Sequence, residues 1–175
     1  MPGSADTTQS KLILLFVFDK MEVPISEETI IDMCSMSNNW IPQIDCRPIL
    51  MSLLDAGFIY KVNAAHTDAH YTITPEGREC LAHFFIRIPS STRENISEFV
   101  KNNKFKYRRK QEYLSDYFKN ADGTYTVVIK IVEPTCQVLE IKMNVPSRHT
   151  AKWINKQWDE KAPQIYASLY DMLVD

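Results

Sequence analysis

One segment constrains the fold more than any other part of the chain. It consists of Leu53-Leu54-Asp55-Ala56-Gly57-Phe58-Ile59-Tyr60, followed after a short gap by Tyr71-Thr72-Ile73-Thr74-Pro75-Glu76-Gly77. The pattern predicts a helix that ends at a glycine, a two-stranded hairpin, and a new helix with a threonine cap and a proline in its first turn. Two shorter helical patterns precede it. This order is typical of a winged helix-turn-helix domain, which commonly holds one helix in the major groove of DNA.

Size and composition place the chain among ordinary globular proteins. It has 175 residues, of which 45% are hydrophobic and 24% charged, enough for one large or two small domains. The longest apolar run, Leu12–Phe18, is far shorter than the roughly 20 residues that span a bilayer. The sequence also opens without a signal-peptide pattern. We therefore expect a cytoplasmic protein with no membrane partner.

Helical and strand periodicity predicts a winged helix-turn-helix domain over residues 1–88. A first helix is expected from about Thr8 to Lys20, and Ser26 is expected to cap a second. The third, proposed as the recognition helix, is expected to start at Asp45 as N-cap, with Pro48 in its first turn. Wing strands are predicted over 58–63 and 70–73. Because the first helix is apolar all round, we expect part of it to form a dimer interface.

Residues 89–175 predict a second domain with the order α-βββ-αα. Ser91 begins a capping-box pattern for the first helix, and alternating apolar residues from Glu112 onward predict three antiparallel strands. Ser147 is expected to cap a further helix and Pro163 to start a last, amphipathic one. The predicted fold class is therefore α+β, with the second domain serving dimerisation or effector sensing.

No known catalytic, cofactor or metal pattern is recognisable. Three of the four glycines are accounted for by a helix end, a helix start and a turn, and the fourth is Gly3. No glycine-rich phosphate loop, nucleophile elbow or HExxH pattern is present. The four cysteines are widely separated and include no CxxC pair. We therefore predict that the protein is not an enzyme and that it binds neither a cofactor nor a metal.

Candidate DNA contacts in the first half are few. Arg47, at the outward start of the proposed recognition helix, can read guanine bidentately, and Asn39 and Gln43 precede it. Lys61 and His66 are the candidates on the wing. Pro48 and Met51, also on the outward side of that helix, cannot donate hydrogen bonds from their side chains.

The densest basic feature is the segment 101–110, in which six of ten residues are Lys or Arg, interleaved with Phe105 and Tyr107. Such a segment can anchor and steer a polyanion, although cations also suit the C-terminal end of a helix. Its candidate phosphate contacts are Lys104, Lys106, Arg108, Arg109 and Lys110.

Charge is unevenly distributed between the two halves. Residues 1–88 contain 6 basic and 11 acidic residues, a net charge of −5, whereas residues 89–175 contain 14 and 11, a net charge of +3. The half proposed to bind DNA is thus acidic, although phosphate neutralisation supplies most non-specific affinity for DNA.

Several segments carry a resemblance to a known family: Gly77–Cys80, Phe84–Ser91, Tyr107–Tyr113, Asp122–Tyr125 and Asn144–Ala151. They resemble a family of uncharacterised bacterial proteins, chiefly clostridial, that is described as a domain of unknown function with a winged-helix N-terminal half. The resemblance covers nearly the whole chain and implies a transcriptional regulator. It brings no known ligand, operator or active site.

The leading hypothesis from the sequence is a homodimeric transcriptional regulator that binds double-stranded DNA through the winged helix. The second half would then sense a small-molecule effector or a protein partner. The alternative is a winged-helix protein–protein interaction module that does not bind DNA directly, for which the acidic surface would be the contact face. Single-stranded RNA binding by the basic segment and the tyrosine-bearing strands is a third possibility.

Overall fold

The structure is a computed structural model that describes the backbone of residues 4–62 and 69–174, with side chains from residue 7 onward. The described residues divide into two compact units, residues 4–62 with 69–107 and residues 108–174. Helices and two small antiparallel sheets confirm the α+β class. The elements are α1 (Ser4–Met21), β1 (Ile25–Ser26), α2 (Glu27–Ile31), a π-helical segment (Asp32–Ser37), α3 (Gln43–Asp55), β2 (Ile59–Val62), β3 (His70–Ile73), α4 (Pro75–Phe84), a 3₁₀ turn (Phe85–Arg87), α5 (Ser90–Glu112), β4 (Tyr113–Lys119), β5 (Tyr125–Val132), β6 (Gln137–Val145) and α6 (Arg148–Val174).

Helix α1 is the centre of the first unit. All seven residues of its apolar run, Leu12–Phe18, are at most 5% exposed, and Met21 is fully buried. Helices α3 and α4, the 3₁₀ turn and β3 pack on this helix and cover its apolar run within one chain. The expectation that it forms a dimer interface is wrong, because it has no apolar face left to offer.

Helix α3 starts earlier than predicted but ends as predicted. Pro42 is its N-cap, and the Asp45 amide already donates to the Pro42 carbonyl over 2.9 Å, so Asp45 is not the cap. Pro48 consequently lies inside the helix, on its exposed side, where water can satisfy the carbonyl that its missing N–H leaves free. At the other end Gly57 has φ +73°, and the Gly57 and Phe58 amides donate to Leu54 and Leu53. This pair of hydrogen bonds is the Schellman closure expected of a C′ glycine.

The first sheet has the order β1-β3-β2 and is antiparallel throughout. Helix α4 follows it directly: Thr74 accepts a hydrogen bond from the Gly77 amide over 3.0 Å, which confirms the predicted cap. Gly77 is required by close packing, because a Cβ at this position would lie 2.1 Å from the Phe58 carbonyl oxygen. The predicted wing strands are present, whereas the predicted wing tip and His66 lie outside the described residues.

Helix α5 begins at Ser90, immediately after Pro89, rather than behind a cap at Ser91. The Arg93 amide donates to the Pro89 carbonyl over 3.0 Å, so Ser91 is already within the first turn. Ile96, Val100 and Tyr107 of this helix are buried in the core of the first unit.

The second unit is built on the antiparallel sheet β4-β5-β6. Val127, Ile129 and Ile131 of the central strand are buried under α6. The predicted hairpin turn after β4 is confirmed by Gly123, with φ +85°. Its amide donates to Asn120 over 3.1 Å. The tyrosines at 113, 117 and 125 pack against this core, as ordinary strand packing requires.

A single long helix, α6, replaces the two helices predicted for the end of the chain. Ser147 caps it as expected, since its hydroxyl accepts the Thr150 amide over 3.2 Å. The helix continues through Pro163 without a break. Pro163 and Asp159 are both exposed, so water can bond the Asp159 carbonyl that would otherwise accept the residue-163 N–H. The order of the second half is therefore α-βββ-α.

Candidate interaction surface

The connection between α2 and α3 is fixed by polar side chains. Ser26 caps α2 by accepting the Thr29 amide over 3.2 Å, and the helix widens after five residues into the π-helical segment. Within this segment the Ser35 hydroxyl donates to the Ile41 carbonyl over 2.7 Å, and the Asn38 amide group donates to Met33 over 2.8 Å. Asn39 then turns the chain with φ +53°. Single-turn π segments are frequent at functional sites, because they redirect the residues that follow.

An aromatic cluster holds this connection against α5. The Trp40 indole donates to Asn95 over 2.9 Å, and its ring meets Phe99 edge-on, with centroids 5.5 Å apart. Phe99 in turn lies 6.1 Å from Tyr107, whose hydroxyl is 3.5 Å from Ser37. Burial raises the pKa of Tyr107 above its usual value. Trp40 is therefore a structural aromatic rather than a free readout residue.

The outward side of α3 carries two exposed apolar residues among its polar ones. Cys46, Leu50 and Leu53 form its buried side. Opposite them, Ile44 is 83% exposed, and Pro48 is exposed beside it. This is the side on which a DNA-reading helix would carry hydrogen-bonding groups.

Three carboxylates surround the start of this helix. An open depression of about 490 Å³ is lined by six residues of α2, the π-helical segment and the first turn of α3, which we call the acidic face: Glu27, Glu28, Ile31, Asp32, Met36 and Gln43. The Met36 side chain is 68% exposed within it. The acidic face thus combines the exposed Met36 side chain and the half-buried Ile31 with three carboxylates.

The predicted base-reading residue, Arg47, is paired with this face. Its guanidinium nitrogen lies 3.7 Å from a Glu27 carboxylate oxygen, and the Arg47 side chain remains 75% exposed. Exposed pairs of this kind contribute at most about 1 kcal/mol, so Arg47 can exchange Glu27 for another anion. Gln43 lies one turn before Arg47 on α3, and Asn39 is exposed in the turn before the helix. Lys61 is exposed on β2.

The basic segment of α5 is partly neutralised by ion pairs. Lys104 bonds Glu22 over 2.5 Å, and this bond lowers the pKa of the Glu22 carboxyl. Arg108 bonds Glu112 one turn later over 2.7 Å, which raises the pKa of the guanidinium. Lys106, Arg109 and Lys110 are exposed. Charge counting along the sequence therefore overstates the free positive charge of this segment.

The thiols and carboxylates form no reactive or metal-binding centre in the described ranges 4–62 and 69–174. Burial raises the pKa of the Cys34 thiol far above its usual value, and burial also raises that of Cys46. No group of three or more histidine, cysteine and acidic residues could hold a metal ion in these ranges.

Sequence patterns did not reveal the acidic face, because which of its side chains remain exposed depends on the π-helical segment. Helical periodicity alone would place Ile31 on the inner side of α2, but the change to π-helical geometry after residue 31 leaves it only half-buried. The sequence does contain one signal of this face. Three carboxylates, Glu27, Glu28 and Asp32, fall within six consecutive residues of the helical segment that precedes the proposed recognition helix.

Comparison with known proteins gives a family but no described relative. Within the described residues no helix has both the length and the apolarity that crossing a membrane requires. Searches of curated proteins and of solved structures found no significant match. A family model described as "Domain of unknown function (DUF4364)" matches residues 10–173. The chain therefore belongs to this family of uncharacterised domains.

Proposed function

We propose that the first unit is a winged helix-turn-helix domain that works as a protein-interaction module. Helices α2 and α3 with the π-helical segment would form the helix-turn-helix, and β2 and β3 the wing. The sheet order β1-β3-β2 and the placement of α3 directly before the β2–β3 hairpin support this arrangement. Fold alone does not determine function, so the proposed activity rests on the exposed side chains.

The acidic face is the observation that carries the proposal. Three carboxylates line the same depression as Met36, which is 68% exposed, and Ile44, next to Gln43 in sequence, is also exposed. Exposed apolar side chains rimmed by charge are typical of protein contact sites, and methionine adapts to varied partners. The partner that complements this surface is a basic amphipathic helix, with apolar anchors for Met36 and Ile44 and cations for the rim.

The same charges disfavour DNA at this position. Phosphate contacts supply most of the affinity of a DNA-binding domain, and three carboxylates beside α3 oppose them. The one guanidinium on this side, Arg47, is already within ion-pair distance of Glu27.

A synthetic amphipathic helix tests the docking face directly. The full chain would be titrated with an 18-residue Lys/Leu peptide of helical periodicity and, separately, with its Glu/Leu counterpart, and backbone NMR shifts would map the contacts. We expect the Lys/Leu peptide to shift residues of α2 and α3. A triple variant Glu27→Gln, Glu28→Gln, Asp32→Gln should weaken binding about tenfold.

The control variant carries Glu94→Gln and Glu98→Gln, which remove two exposed carboxylates from α5 in the same unit. It should bind the Lys/Leu peptide like the unmodified chain. If both charge variants weaken binding equally, or if the Glu/Leu peptide binds as well as its basic counterpart, the acidic face is not the docking site.

Direct binding of double-stranded DNA is the second candidate function, with transcription regulation as its role. Two points favour this function. Winged helix-turn-helix domains commonly bind DNA, and the proposed DNA contacts Arg47 and Lys61 are both exposed. Lys106, Arg109 and Lys110 of α5 would supply phosphate contacts. A regulator of this kind would bind as a homodimer to a two-fold operator.

Fluorescent random duplex DNA separates the two functions. Titrations at low and moderate salt would compare the unmodified chain, a charge-reversed Lys106/Arg108/Arg109/Lys110 variant, and an Arg47→Ala, Lys61→Ala variant. Salt-sensitive binding that either variant loses would support the DNA function and locate its anchor. No binding at low salt would exclude the chain as a stand-alone DNA-binding protein.

The proposed homodimer would use the end of α6 rather than α1. The stripe that packs on the second sheet through Trp158 and Ala162 continues as Leu169, Met172 and Leu173, and the last two are each 81% exposed. A second copy of the same helix would cover this stripe.

A further inference from the structure

A small apolar cavity lies between α1, α3 and α4 in the first unit. Its volume is about 170 Å³, and its floor is formed by Leu12, Leu15 and Leu53, each at most 3% exposed. Phe58 and Phe84 form its walls. Away from its mouth, the cavity therefore contacts a bound ligand mainly through hydrocarbon side chains.

The charged residues in the lining of this cavity, Lys11 and Arg87, are both cations. Neither cation forms an ion pair with a residue in the described part of the chain. The Arg87 guanidinium carbon lies 5.0 Å from the centre of the Phe84 ring, and this cation–π contact holds it at the rim.

Size and charge together select a ligand class. An apolar cavity of about 150 Å³ is known to hold a benzene molecule, so 170 Å³ accommodates a hydrocarbon body of about six carbons. An anionic group on that body would meet Lys11 and Arg87, and a guanidinium suits a planar carboxylate best. We propose that this cavity binds a small monocarboxylate with a linear or cyclic body of about six carbons.

A larger cavity nearby is a weaker candidate. Its volume is about 350 Å³, and Lys11 also lines it, but Asp45 does too. A lining with both signs of charge does not select the charge of a ligand. The charged residues that line the smaller cavity, Lys11 and Arg87, are both cations, so it favours an anion over a neutral or cationic ligand.

This inference goes beyond the proposed function and does not depend on it. The cavity shares no residue with the acidic face, since it is lined from α1, the end of α3, the chain before β2, and α4. Loss of peptide docking and loss of carboxylate binding would therefore appear in different experiments.

Methyl NMR of the leucine-labelled full chain tests the inference. Sodium hexanoate and sodium benzoate would be titrated alongside hexan-1-ol, which has the same number of carbons as hexanoate but no charge. We expect saturable shifts at the methyl groups of Leu12, Leu15 and Leu53, with hexan-1-ol binding at least about tenfold more weakly than hexanoate.

Variants locate the charge contacts. Lys11→Gln and Arg87→Gln should each weaken hexanoate binding about tenfold, whereas Lys101→Gln, an exposed cation on α5, should leave it unchanged. Cys80→Trp, which fills the cavity from its lining, should abolish binding. If that variant does not fold, the two charge variants still decide. Equal binding of hexan-1-ol and hexanoate, charge variants that bind as before, or no saturable leucine shift would each overturn the proposal.

Discussion

Helices α1 and α6 are the central helices of their units, and they are buried in opposite ways. Seven consecutive residues of α1, Leu12–Phe18, are at most 5% exposed. In α6 only spaced positions such as Ala151, Trp158 and Ala162 are buried, and the last turns are open. A continuous apolar run thus marks a helix enclosed by its own chain. An amphipathic stripe that extends beyond its sheet leaves an apolar surface exposed.

Tryptophan substitutions in α6 should give the largest difference. Trp158 is 2% exposed and donates its indole N–H to the Lys130 carbonyl over 3.0 Å, whereas Trp153 is 58% exposed. Trp158→Ala should lower the free energy of unfolding by about 4 kcal/mol, because it leaves a large cavity and an unpaired carbonyl. Trp153→Ala should change it by less than about 0.5 kcal/mol. Urea denaturation followed by circular dichroism measures both.

If the two tryptophan variants lose equal stability, α6 does not pack on its sheet through one stripe, and the comparison with α1 fails. Amide hydrogen exchange gives a regional check. Trp158→Ala should speed exchange mainly in residues 113–174, since the cores of the two units consist of separate sets of buried side chains.

Leucine substitutions sharpen the contrast between the two helices. Leu14 of α1 is fully buried, and Leu173 of α6 is 81% exposed. Leu14→Ala should cost about 3 kcal/mol of unfolding free energy, and Leu173→Ala almost none. Thermal unfolding at low protein concentration measures the difference. At high concentration Leu173→Ala should also shift sedimentation from dimer to monomer, and unchanged sedimentation of a dimer would exclude the α6 stripe as its seam.

The same comparison shows what local patterns can predict. Helix ends marked by Gly57, Thr74 and Ser147 were placed correctly, because a cap or a positive φ is decided by a few neighbouring residues. The covering of α1 was not predictable, since it depends on segments distant in sequence that pack on it. The acidic face escaped detection for a similar reason: which of its side chains remain exposed depends on the π-helical segment.

The prolines gave the least accurate predictions of helix boundaries. Pro48 and Pro163 both lie inside helices, on exposed sides where water replaces the missing hydrogen-bond donor. The tertiary packing of α3 and α6 on either side of each proline outweighs the intrinsic helix-breaking tendency.

Replacing Pro163 measures the free-energy cost of a proline inside α6. Pro163→Ala should stabilise the second unit by about 2 kcal/mol, since alanine restores a helical N–H, and this gain exceeds the added entropy of the unfolded chain. Pro134→Ala provides a control of opposite sign. Pro134 lies in the turn where Glu133 and Cys136 exchange backbone hydrogen bonds of 2.8 and 3.3 Å, so its loss should destabilise by about 0.5 kcal/mol. Chemical denaturation of both variants tests the signs. A destabilised Pro163→Ala chain would mean that α6 needs its proline.

Helix caps give the smallest and most local comparison, one in each unit. Thr74 accepts the Gly77 amide over 3.0 Å and donates its hydroxyl to the Gly57 carbonyl over 2.8 Å. Ser147 accepts the Thr150 amide over 3.2 Å, and its hydroxyl also bonds the Thr150 hydroxyl over 3.0 Å. Both Thr74→Ala and Ser147→Ala should cost about 1 kcal/mol, with Thr74→Ala the larger because it also leaves a carbonyl acceptor without its donor.

The conservative variants Thr74→Ser and Ser147→Thr distinguish capping from packing, because each keeps the hydroxyl and changes only a methyl group. Both should retain most of the stability that the alanine variants lose. If Thr74→Ser is as unstable as Thr74→Ala, the threonine methyl rather than its two hydrogen bonds stabilises the junction between β3 and α4. The first unit would then depend on apolar contact at its helix ends as well as in α1.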